Sequence, residues 1–222
     1  MGQRFALAVF LPLIAMLAAT PTTSSIGIGS QPPTRLAAVP VPSELRLNEV
    51  DYDQPGYDTN EFVEIVNVGS EKAHLKNVVL VFVNGYDSTE YRRVELSGGL
   101  GTARRLVVAT PSVAVGGSPR VLYLPLSKNN IQNGAPDGVA LVDTANDVVL
   151  DALSYEGSIE NAQIEGLTGA VSLVQGQPVS ESDDNEVAGS LCRLPDRSDT
   201  GEDDADRSIC SPTPGTKNAA RT

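Results

Sequence analysis

The sequence has no tryptophan, a single histidine and two cysteines. Every Ser-His-Asp or Cys-His nucleophilic arrangement would therefore have to be built on His74. That residue stands in Glu71-Lys72-Ala73-His74, a stretch that reads as a turn with an exposed imidazole. Zinc sites draw on clusters of Cys and His, which one histidine and two export-type cysteines do not supply. Four Phe and six Tyr offer little of the aromatic platform on which sugar-cleaving sites stack their substrates. A Walker loop, a G-x-S-x-G elbow and a dinucleotide fingerprint are also missing. Carboxylates, by contrast, are plentiful, and glycoside hydrolysis needs only a suitably spaced pair. The chain thus reads as no enzyme, and the catalytic alternative is an extracellular hydrolase using acidic residues with or without a divalent metal.

Positive charge is scarce too: 16 Lys and Arg stand against 28 Asp and Glu, a net charge of −12. Such a surface repels phosphate backbones and anionic headgroups on average, so no nucleic-acid partner is expected. Divalent cations or basic partners fit better, although acidity also serves simply to keep an exported chain in solution. Long apolar runs are confined to residues 5–19, which follow Arg4, contain Pro12 and end at Ala18 and Ala19 before Pro21. This reads as a secretory signal peptide over 1–19. A bilayer-spanning helix needs roughly 20 apolar residues, so the run is short for that purpose. No second run follows, and the mature chain is expected to lack a transmembrane segment and to be secreted, either to the medium or to the cell envelope. Cys192 and Cys210 fit an oxidising compartment and are expected to be joined. A ring of that size is worth about 3 kcal/mol in the chain-entropy model.

Residues 20–43 are rich in Pro, Ser, Thr and Gly and read as an extended linker without core residues. The folded domain is placed at 44–218. From Leu45 and Leu47 onward, apolar alternation and β-branched runs mark strands at 61–67, 77–83, 90–96, 104–109, 120–124, 138–143, 147–153 and 171–174. Turn dipeptides such as Gly69-Ser70, Asn84-Gly85, Gly98-Gly99, Gly116-Gly117 and Asn133-Gly134 separate them. Many short strands at this spacing predict an all-β, antiparallel sandwich or barrel. The apolar pattern lapses over 175–189, where Glu181, Asp183, Asp184 and Glu186 read as a solvated acidic loop, and a second acidic stretch over 196–206 reads as a solvated loop pinned by the disulfide.

Several ordered motifs resemble the bacterial lamin-tail domain family. Leu47-Asn48-Glu49-Val50-Asp51-Tyr52-Asp53 and Glu61-Phe62-Val63-Glu64-Ile65-Val66-Asn67 resemble its opening. Pro136-Asp137-Gly138-Val139-Ala140-Leu141-Val142-Asp143 resembles its middle, and Ser190-Leu191-Cys192-Arg193-Leu194-Pro195-Asp196 with Pro212-Thr213-Pro214-Gly215 its close. The resemblance spans about Leu45 to Asn218 and implies an immunoglobulin-like antiparallel β-sandwich. It departs from the family where many relatives carry a Trp, since Leu75-Lys76-Asn77-Val78 has none. Relatives are often joined to nucleases, phosphatases or cell-wall modules, and the 222 residues leave no room for one. What the resemblance implies is a secreted, non-catalytic binding or structural module whose partner is an unidentified protein or cell-surface component.

The constellation best suited to a ligand is Asp51-x-Asp53 with Asp58, Asn60 and Glu61 around the turn at Pro55-Gly56. Hard oxygens of this kind suit Ca²⁺, with Asp51, Asp53 and Asp58 as ligands, and no other cofactor is indicated. The same aspartates can instead cap turns by accepting backbone N–H bonds. Glu49, Glu61 and Glu64 raise a different question, because strand alternation cannot turn all of their neighbours inward. A carboxylate there must reach a backbone N–H or an arginine such as Arg92, Arg93, Arg104 or Arg105.

Overall fold

The computed structural model describes residues 44–221, so the leader at 1–19 and the linker at 20–43 lie outside the described residues. Numbered in chain order, the strands form two main sheets. The larger takes seven, in the order β13 (Ala219–Ala220), β12 (Arg207–Ser211), β11 (Ser190–Arg193), β1 (Leu45–Asp51), β2 (Phe62–Asn67), β7 (Arg105–Ala109) and β8 (Arg120–Tyr123). The smaller takes β10 (Val148–Tyr155), β9 (Asp137–Asp143), β4 (Val78–Asn84) and β5 (Thr89–Glu95). A ribbon pairs β3 (Ala73–His74) with β6 (Gly99–Leu100), and one helical turn, α1 (Asp203–Asp206), precedes β12. The chain is an all-β antiparallel sandwich. Its one departure among the described strand pairs is β7 with β8, which run parallel.

The core explains the strand chemistry. Leu47, Val63, Ile65, Leu106 and Val108 of the larger sheet meet Leu80, Phe82, Val139 and Leu141 of the smaller. Strand β4 reads Val-Val-Leu-Val-Phe-Val-Asn without alternation because both of its faces are covered. Val78, Leu80 and Phe82 enter the inter-sheet core, whereas Val79, Val81 and Val83 meet Ile159, Ala162, Ile164 and Leu173 from the segment after β10. That segment includes the strand expected at 171–174, but Val171 makes only an isolated bridge to Ala162. Its apolar residues plug a sheet face instead of extending a ladder. In the same way Phe62, Val107 and Ala109 on the outer face of the larger sheet are covered by Val113 and Val115.

Two bulges face each other across the sandwich. The register of β1 shifts between Leu47 and Glu49, and that of β10 between Val149 and Asp151. A bulge re-aims a side chain and frees a ladder N–H. Here the Leu47 amide donates to Asp151 Oδ2 at 2.7 Å, joining the sheets through one buried carboxylate. Arg193 from β11 donates two further bonds to Asp151, at 3.1 and 3.0 Å.

The two cysteines lie on neighbouring strands, where Ser190 faces Cys210 and Cys192 faces Ser208. This places both thiols on one face, with Cα atoms 5.9 Å apart, and the disulfide is formed. The acidic stretch it encloses is not the solvated loop that its composition predicts. Asp203 and Asp206 are buried, because α1 turns them towards Arg207 and Arg193.

Candidate functional site

Of the three aspartates read as calcium ligands, Asp51 ends β1 and is buried, with its carboxylate accepting a bond from Gln54 Nε2. Burial raises its pKa against that bond, and the negative fields of Asp183, Glu49 and Glu61 raise it further. Asp58 accepts the Gln54 amide at 3.1 Å and Asn133 Nδ2 at 3.3 Å, and so closes the Pro55-Gly56 turn. Asp53 lies between them, its pKa raised by burial and then by Asp58. Among the described residues no three His, Cys, Asp or Glu side chains converge in a way that could hold a metal ion. Asp51, Asp53 and Asp58 are thus placed along one loop, and two of them are bound to its own donors.

Asp183, which reads as part of a solvated acidic loop, is instead buried, and the fold brings it to the loop of Asp51, Asp53 and Asp58 from the segment before β11. Its amide donates to Tyr52 Oη at 2.8 Å, and the Tyr52 ring stacks on Tyr155 with centroids 4.0 Å apart. One carboxylate oxygen of Asp183 accepts the Asp184 amide, and the other is buried without a partner. Burial pushes its pKa up to about 7, against that one bond, and Asp53 and Asp184 add to the rise. Nothing local in Ser182-Asp183-Asp184 signals this, because the contact to Tyr52 joins residues 131 positions apart.

The three glutamates behave as their strand positions predict. Glu61 accepts the amides of Asn130 and Ile131, each at 2.8 Å, and so anchors the loop that leads to β9. Glu64 bonds Arg105 Nε at 2.9 Å and accepts the Gly215 amide at 2.8 Å. Glu49 accepts Ser190 Oγ and the Thr213 amide, each at 2.7 Å. Burial raises the Glu49 pKa to about 7 in spite of those bonds. Asn48 and Asn218 complete the arrangement: Asn218 Nδ2 donates to the carbonyls of Asn48 and Arg193, and Asn48 Nδ2 to Glu64 and Asp196. The Asn-Glu pair that opens the domain therefore clasps its C-terminal segment.

A different surface lies at the other end of β7. A cleft of about 360 Å³ is bounded by Gly99, Leu100, Gly101, Arg104, Arg105 and the 118–120 segment. Its charged lining is arginine. Exposed rings and aliphatics, Tyr57, Tyr86, Tyr123 and Leu126, lie elsewhere on the surface. No helix among the described residues is long and apolar enough to cross a membrane. No family model matches the chain, and no curated protein matches it.

Proposed function

We propose that the chain is an exported, non-catalytic binding module of the lamin-tail type, acting on a protein or cell-surface component. The observation that carries this reading is the use made of the buried carboxylates. Glu49, Glu61, Glu64 and Asp151 each accept bonds from backbone amides or arginines that join separate segments of the fold. Carboxylates held in that way are fixed parts of the scaffold. A hydrolase requires one that is free to exchange a proton or attack a substrate, and the unpartnered oxygens of Asp53 and Asp183 are the ones that the test below addresses. The lamin-tail resemblance gains support from the meeting of its opening and closing motifs, as Asn48 and Glu49 bond Asn218 and Thr213.

The test uses the chain expressed with its leader and recovered from the medium or envelope. Intact mass should show residues 1–19 removed. The purified protein should sediment saturably with the envelope fraction of its source and turn over no glycoside or phosphoester in a substrate panel. Turnover that disappears in Asp53→Asn or Asp183→Asn would establish the hydrolase instead.

A further inference from the structure

The arginine-lined cleft is an outlier on a chain of net charge −12. Its position follows from topology. Because β7 and β8 run parallel, with Leu106 opposite Arg120, their N-terminal ends lie side by side. Arg104 and Arg105 enter one strand there and Arg120 the other. The β3–β6 ribbon closes the remaining side and brings its glycine turn into the cleft.

That turn is shaped for close approach. Gly98 has φ +75°, which favours glycine, and a Cβ placed on it would lie 3.5 Å from Arg120 Nη1. A Cβ on the next residue, Gly99, would run into the Lys72 stem, with Lys72 Nζ at 3.1 Å. A Cβ on Gly101 would lie 3.4 Å from Arg104 Cγ. Three cationic side chains therefore border four consecutive residues that include three glycines. Arg105 is different: its guanidinium is engaged by Glu64 and Asp196, so it stiffens the wall. Among the described residues, Lys72, Arg104 and Arg120 form no ion pair. Arg120 is held in place by donating to the Ser97 carbonyl and Ser97 Oγ.

We propose that this cleft is a binding site for a doubly charged tetrahedral oxyanion, the terminal group of a phosphate monoester, for which inorganic phosphate and sulfate are the simplest stand-ins. Arg104 and the N–H groups that Arg120 does not donate to Ser97, with Lys72 beside Gly99 at the rim, offer more charge than one carboxylate balances, and a dianion with three or four oxygens can bond to several of them. The volume sits at the small end of ligand sites, roughly 300–1,000 Å³, and fits a single charged group with its first linking atoms. The molecule's overall negative charge does not oppose this at physiological salt. The screening length there is about 8 Å, so distant carboxylates are attenuated while cations in contact are not. The proposal rests on the module reading in one respect only, that the ligand is held and not converted.

The experiment is an amide NMR titration of the purified chain with inorganic phosphate, sulfate and acetate in separate arms. Phosphate and sulfate should saturate and shift the amides of Gly98, Gly99, Gly101 and Ser118, with acetate at least about tenfold weaker. Arg104→Gln, at an exposed side chain without a bond to the fold, should weaken phosphate about tenfold, as expected for one charge-assisted bond. Gly99→Ala, which displaces Lys72, should weaken it too. Lys128→Gln removes the same charge outside the cleft and should leave binding unchanged. Absence of saturation, shifts elsewhere, equal binding of acetate, or equal losses in Lys128→Gln and Arg104→Gln would each overturn the site. Envelope binding that persists in Arg104→Gln after its phosphate binding is lost would separate this site from the module reading. Turnover of a substrate bears on the module reading alone.

Discussion

Single residues carry most of the chemistry here, and the sequence reveals them unevenly. That Glu49, Glu61 and Glu64 must find donors follows from their place in apolar strands, and Arg105 is one of the partners that proximity in sequence pattern predicts. Asp183 and Asp151 are invisible at that level, since one meets Tyr52 from a distant part of the chain and the other sits between two facing bulges. Asp183 gives a pH test. Its carboxyl has an ordinary pKa of 3.8 and titrates near 7 in the fold, so between these values the native state keeps a proton that the unfolded chain has released. Its contribution is full below about pH 4 and is lost as pH rises through 7. Asp183→Asn, neutral at every pH, should raise stability at pH 8 by on the order of 2 kcal/mol and flatten the decline between pH 5 and 8. Urea melts at the two pH values measure this, and parallel declines in both proteins would remove Asp183 as the cause. Asp151→Asn should act in the opposite direction. It leaves Arg193 and Arg207 buried beside a neutral group, at a cost of about 3 kcal/mol. A urea midpoint within error of the wild type would show that Asp206 and Asp203 suffice for both arginines.

At the scale of elements, sequence reading finds the strands with clean apolar patterns and also β5 and β8, which are half-exposed but rich in β-branched and aromatic residues. β1, β2, β4, β7, β9 and β10 all bury one face or both against Val and Leu from a second layer. β11 and β12 escape notice because Ser-Leu-Cys-Arg and Arg-Ser-Ile-Cys-Ser are short, half polar and embedded in acidic text. Their pairing is stabilised by the Cys192–Cys210 bridge and by ion pairs, none of which has a periodic signature. The same holds for α1, whose Asp203 and Asp206 look solvated until Arg207 and Arg193 are placed beside them. The disulfide should accordingly matter most for this part of the sheet. Reduction, or Cys192→Ser with Cys210→Ser, should cost about 3 kcal/mol and lower the melting temperature by roughly 10 °C. Hydrogen exchange should accelerate in β12 and β13 before it does in β2 or β7. Uniform acceleration over all strands would mean that the bridge stabilises the whole sandwich and not its edge.

For the described domain as a whole, the decisive feature is that its first strands and its closing segment are bound to each other through carboxylates. Glu49 and Glu64 sit on adjacent central strands, and part of their hydrogen bonding comes from Thr213, Gly215 and, through Asn48, Asn218. The segment after β12 adds little apolar area, with Pro214 and Asn218 its buried residues before the short β13. An account based on burial alone would therefore treat removal of residues 212–222 as a small loss. An account based on polar satisfaction expects a large one, because two buried carboxylates lose donors and each orphaned acceptor costs on the order of 1–3 kcal/mol. The pH dependence separates the two. Glu49 already titrates near 7 in the intact protein against an ordinary value of 4.5, so it favours the fold below that range and ceases to do so as pH passes 7. Loss of the Thr213 amide and hydroxyl bonds, which now lower this pKa, raises it further. The truncated chain should then be much weaker than the intact one at pH 8 and closer to it at pH 5.5. Adding Glu49→Gln to the truncation should restore part of the loss at pH 8 and little at pH 5.5. Equal losses at both pH values, unaffected by Glu49→Gln, would show that the terminal segment acts through packing, and that the clasp is a consequence of the fold and not a cause of its stability.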